Sequence, residues 1–144
     1  IQAVVFVLVL TGLGLFGFDV LPGRPVELAG VLALTIILAF GLGLVLAALA
    51  SLIPDSRPII TVMFMPLYFI SGVLFPMSRF PDEVVRWMAI NPVLHLVELS
   101  RVTAVHGFEP MKYLSLSYVV VLVLVTTIIG LMLYRLRYLT RVTP

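Results

Sequence analysis

Charged and apolar positions fall in blocks along this chain. Four stretches carry no Asp, Glu, Lys or Arg: 1–18, 28–54, 58–78 and 113–134, with 18, 27, 21 and 22 residues. A helix needs about 20 apolar residues to cross the hydrocarbon of a bilayer, so each stretch is long enough to span. The pattern predicts an all-α fold, a polytopic membrane helix bundle with spans at about 1–18, 28–51, 58–76 and 113–134. All 144 residues then form a single transmembrane domain.

The segment between the third and fourth spans behaves differently. Its longest uncharged run, from Trp87 to Val97, has 11 residues and contains Asn91-Pro92. Eleven helical residues rise only about 16 Å, well short of the hydrocarbon thickness. The pattern therefore predicts a re-entrant helical hairpin over about 81–106 that dips in and returns to the same side, its irregular backbone buried in protein. Asp82 and Glu83 suit a helix N-terminus, Pro92 suits the first position of a second helix, and Gly107 is a plausible stop. Along the second predicted span Ala39, Gly43, Ala47 and Ser51 recur every four residues, a small-residue ridge suited to close helix packing within the chain or between copies.

Composition agrees with a lipid environment, with 62% apolar and only 11% charged residues against about 25% charged in soluble domains. The chain opens at Ile1 inside an apolar run without a basic n-region or a small-residue cleavage site, and is read as the C-terminal piece of a longer protein. It has no cysteine, which excludes disulfides, thiolate metal sites and cysteine nucleophiles.

Arg135, Arg137 and Arg141 follow the last span with no acid among them, and excess Lys/Arg beside a span marks the cytoplasmic side. That places the C-terminus and the 55–57 turn inside, and the 19–27 and 79–112 segments outside. Asp55 and Arg57 lie between Pro54 and Pro58, which stop the flanking helices. The two charges either contact a cytoplasmic partner or solvate a tight turn.

Candidate chemistry concentrates in the hairpin. Asn91, His95, Glu98 and Arg101 are spaced four, three and three apart, so they share one arc of a helix. Charged groups at membrane depth pair or line a water-filled path; the stripe is either a structural ion pair beside an outer vestibule or a substrate contact. A zinc site needs three protein ligands, and the only other histidine, His106, is eleven residues from His95. Ser71-Gly72 lacks the strand-turn-helix setting of a hydrolase nucleophile. The aromatics of the third span suit either stacking on sugar rings or an interfacial belt.

The run from Tyr68 to Pro76 (Tyr-Phe-Ile-Ser-Gly-Val-Leu-Phe-Pro), followed by Phe80-Pro81, Trp87, Asn91-Pro92 and the stretch His95 to Arg101 (His-Leu-Val-Glu-Leu-Ser-Arg), resembles a known family. It is similar to the permease subunit of type-2 ATP-binding-cassette exporters, within them the bacterial capsular-polysaccharide and O-antigen export group. The resemblance covers essentially the whole chain, as the last four of six spans. The family's N-terminal helix, first two spans and coupling helix would precede Ile1.

That resemblance implies a bacterial inner-membrane protein acting as two permease copies, a homodimer, with a separate ATPase subunit beneath each and a lipid-linked polysaccharide as substrate. Nucleic acid is not among the implied partners. The chain has no phosphate-binding Gly-rich loop ending in Gly-Lys-Ser/Thr, so no cofactor is expected in it and ATP with Mg²⁺ belongs to the partner. The implied substrate path is Tyr68, Phe69 and Phe75. The implied periplasmic gate is Trp87, Asn91, His95, Glu98 and Arg101, with Asp55 and Arg57 as a secondary ATPase contact. Competing readings are a related permease for a drug, lipid or teichoic acid, and a membrane-embedded transferase using His95 or Glu98 as base.

Overall fold

The computed structural model describes residues 12, 15–16, 22–53 and 56–142. Among these the structure is all-helical: α1 (Pro25–Leu52), α2 (Ser56–Ile70), a 3₁₀ turn (Met77–Arg79), α3 (Asp82–Met88), α4 (Pro92–Ala104) and α5 (Leu116–Val142). The first predicted span, apart from residues 12, 15 and 16, lies outside the described residues, as do Asp55 and the side chain of Arg57.

Two helices contain stretches long and apolar enough to cross a membrane, Pro25–Ser51 and Leu116–Arg137. α1 begins with Pro25 at its first position and Glu27 in its first turn, a pre-set φ and a favourable dipole interaction. α2 is shorter than the 58–76 stretch that the hydropathy pattern predicts. Its 15 residues rise about 22 Å, because the chain leaves the helix at Ser71 and Gly72 takes φ 72°, a left-handed conformation open to glycine.

α1 and α5 pack closely over much of their length. A Cβ on Gly130 would lie 2.8 Å from Gly41 O, and one on Gly41 would lie 3.0 Å from Thr127 Cα, so both glycines are needed where the backbones meet. Val31 and Leu38 of α1 join Val119 and Val123 of α5 and Leu96 of α4 in one core cluster. The ridge Ala39, Gly43, Ala47 and Ser51 is not the face that packs here; all four are exposed, and a Cβ on Gly43 would meet nothing within 4 Å. Gly41 lies two residues from Gly43, about 200° around the helix, and that face carries the bulky partners Val31 and Leu38.

α4 returns alongside α1 toward its start. Its last carbonyls are capped from outside the helix, Ala104 O accepting from Gly23 N at 3.3 Å and Thr103 O from Arg24 N at 2.9 Å. Helix ends leave such carbonyls without internal partners, so the turn before α1 completes α4. At the other end Asn91 Oδ1 accepts from Val93 N at 3.0 Å, a side-chain cap, and Pro92 takes the first helical position as the sequence predicts. A second core, Met77, Val85, Leu94 and Met111, packs the 3₁₀ turn and α3 onto α4.

Candidate functional site

The polar residues of α4 are interior groups with protein partners. Glu98 is 1% exposed, and its Oε1 accepts from Arg101 Nη1 at 2.8 Å. Arg101 Nη2 donates to Gly72 O at 2.6 Å and Val73 O at 3.0 Å, just beyond the C-terminus of α2. A guanidinium offers five donors in a rigid fork, and here one fork holds a carboxylate and two backbone carbonyls. Cations at a helix C-terminus also face the negative end of its dipole.

His95 is 2% exposed and tied on both sides. Its Nε2 lies 2.7 Å from Ala89 O. A carbonyl only accepts, so Nε2 carries the proton and Nδ1 accepts from Ser115 N at 3.3 Å. The ring lies 5.1 Å from that of Tyr118, whose hydroxyl donates to Ile90 O at 2.6 Å. His95 thereby joins the α3–α4 link to the start of α5. Asn91 Nδ2 is buried without a partner among the described residues.

Asn91 caps the start of α4 and His95, Glu98 and Arg101 lie along it; Glu98 and Arg101 meet in one ion pair, whereas Asn91 and His95 bond elsewhere. Each reaches a different neighbour: its own helix start, the α3–α4 link with the start of α5, Arg101, and the end of α2. Trp87 stands apart on α3 at 76% exposure.

Tyr68, Phe69 and Phe75 are each about half exposed, with Tyr68 and Phe69 edge to face at a centroid distance of 6.2 Å. Tyr68, Thr61, Met65 and Ser71 line a cavity of about 720 Å³ with Leu42 of α1 and Val93 of α4. A second cavity of about 250 Å³, lined by Leu46, Leu49, Ile60 and Met63, shares Leu42, Phe64 and Leu67 with the first. Together they form an apolar groove between α1 and α2. Ser71 closes the helix above it, its hydroxyl donating to Tyr68 O at 2.5 Å.

Sequence reasoning paired Glu98 with Arg101 from their i,i+3 spacing. It missed Gly72 and Val73 as acceptors of Arg101, Ser115 and Ala89 as partners of His95, and the Tyr118–Ile90 bond. Most of these cross twenty or more residues and leave no periodic trace. It also missed Lys112 Nζ with Asp82 Oδ2 at 2.7 Å, an exposed pair joining the start of α3 to the segment before α5. The hydrogen bond to Asp82 and that residue's charge raise the Lys112 pKa above its usual value.

Residues 1–105 match the family described as ABC-2 type transporter, a stretch that runs through the end of α4. Two curated relatives from Escherichia coli, each named polysialic acid transport protein KpsM, are 37% identical over 105 residues, 73% of this chain. The match covers 40% of each relative, so the chain spans about two fifths of their length. With its matched stretch and its two helices of spanning length, this chain is a membrane protein that belongs to the ABC-2 type transporter family.

Proposed function

We propose that this chain is part of the permease subunit of an ATP-binding-cassette exporter that moves a polysaccharide, carried on a lipid, from the cytoplasm to the periplasm across the bacterial inner membrane. The observation that carries the reading is the 37% identity over 73% of the chain to proteins named for polysialic acid transport. A separate ATPase subunit binds ATP with Mg²⁺ and supplies the driving force, and two permease copies form the conduit.

In this reading the basic tail faces the cytoplasm, as does the Asp55–Arg57 turn. The end of the bundle carrying Arg24, Asp82 and Lys112 then faces the periplasm. Tyr68, Phe69 and Phe75 line the path, where half-exposed aromatic faces suit stacking on sugar rings. Trp87 stands at the periplasmic exit as an exposed aromatic surface. Asn91, His95, Glu98 and Arg101 serve the gate by holding its helices, since their polar atoms are largely engaged with protein. The polar stripe therefore does not by itself choose a polar cargo over a drug or a lipid; the relatives favour polysaccharide.

The test is purification of the full-length protein from its own cells. An ATPase subunit is expected to accompany it, with hydrolysis that rises when a lipid-linked polysaccharide is added. A protein that purifies without any ATPase, or a complex that responds to hydrophobic drugs and ignores the glycan, contradicts the reading.

A further inference from the structure

Arg101 does something that its pairing with Glu98 does not require. Pairing alone would be met by Nη1, yet Nη2 reaches across to Gly72 O and Val73 O. A buried ion pair adds little net stability over an apolar pair of the same volume. What this fork supplies is direction, because three acceptors at fixed angles admit one placement of the turn that ends α2.

Three further observations make that turn a joint. Gly72 is buried at positive φ, and a Cβ there would lie 2.5 Å from Leu94 Cδ1, so the turn sits flush on α4. Ser71 donates both its hydroxyl and its N–H to Tyr68 O, which ties the turn to the backbone of Tyr68. Below the joint, α2 is exposed along almost its whole length and separated from α1 by the apolar groove. Among the described residues, the polar contacts that hold α2 to α4 gather at its upper end.

We infer that Arg101 is a positioning residue: backed by Glu98 and acting through Gly72 and Val73, it fixes the end of α2 and thereby the bearing of Tyr68, Phe69 and Phe75 on the substrate path. The joint is read from distances alone; its consequence for export rests on the proposed function.

The test uses the full-length permease with its ATPase, freed of other cysteines, with spin labels at Val62 on α2 and Val121 on α5, both exposed. The wild-type protein is expected to give a narrow interlabel distance distribution. Arg101→Met orphans the Glu98 carboxylate, so it is expected to lose stability, broaden that distribution and lose most export. The variant Glu98→Gln/Arg101→Met removes the orphaned charge; it is expected to regain much of the lost stability while the distribution stays broad and export stays low. A purely stabilising role requires export and distance to recover with stability, and that result overturns the inference.

Arg101→Lys, which keeps the charge and loses the fork, provides the reading if the other variants do not fold. It is expected to broaden the distribution, and a wild-type distribution with undiminished export overturns the inference. Should the wild-type complex move no polysaccharide, the functional reading fails while the distance measurement still decides the joint.

Discussion

Substituting Gly72 with alanine perturbs the fold at one atom. Gly72 holds φ +72°, and the added methyl would lie 2.5 Å from Leu94 Cδ1 and 3.1 Å from Met77 Cε. An L-residue in the left-handed region costs about 1–2 kcal/mol. Leu94 is 0% exposed and Met77 2%, so neither side chain can swing into solvent. Forcing Leu94 about 30° from its rotamer costs about 0.5–1.5 kcal/mol. The expected loss is about 1.5–3.5 kcal/mol, or roughly ten- to several-hundredfold in the unfolding equilibrium. Reversible unfolding in mixed detergent micelles, followed by circular dichroism, measures it. Leu94→Ala in the Gly72→Ala background is expected to cost less than in the wild type, by about 0.5–1.5 kcal/mol, because there the truncation also relieves the clash. A Gly72→Ala protein within about 0.5 kcal/mol of the wild type would refute both the turn conformation and its contact with α4.

Three further outcomes are expected. Gly130→Val, whose Cβ would lie 2.8 Å from Gly41 O, should separate α1 from α5 and destabilise by about 1–3 kcal/mol; Gly43→Ala, with nothing within 4 Å, should be neutral or stabilise by up to about 1 kcal/mol, and equal effects in the same unfolding assay would count against the helix register. Lys112 titrates above 10.5 when folded, so its contribution is fully present below 10.5 and lost as pH climbs through the raised value; the gap in unfolding midpoint between the wild type and Lys112→Gln should close at strongly alkaline pH, and a gap that widens there contradicts the pair. Tyr68→Ala should reduce polymer export in cells without lowering the amount of folded protein, and unchanged export removes Tyr68 from the path.

Features written locally were legible in the sequence. The Asn91-Pro92 break was readable because its cap spans two residues, from Asn91 Oδ1 to Val93 N. The length of α1 and the position of α5 were readable because uncharged runs bound them, although α5 continues through Arg135 and Arg137 where the hydropathy pattern ends. The end of α2 at Ile70 was hidden: residues 71–76 are as apolar as the helix, and only the positive φ of Gly72 ends it. Which face of α1 packs was equally hidden. Small residues sit on several of its faces, and the choice of Gly41 over Gly43 depends on Gly130 some 89 positions away. The candidate site divided along the same line: Glu98–Arg101 followed from spacing, whereas the hold of Arg101 on Gly72 depends on the fold of the intervening chain.

The full protein is proposed to carry a lipid-linked polysaccharide outward at the expense of ATP. Inverted membrane vesicles from cells making the permease and its ATPase, loaded from outside with a labelled acidic glycan on its lipid carrier, test it most directly. The glycan is expected to become protected from an added glycosidase when ATP is present, and to remain accessible without ATP or with a hydrolysis-dead ATPase. Glycan that stays fully accessible with ATP, in vesicles whose complex is intact and hydrolysing, would contradict it.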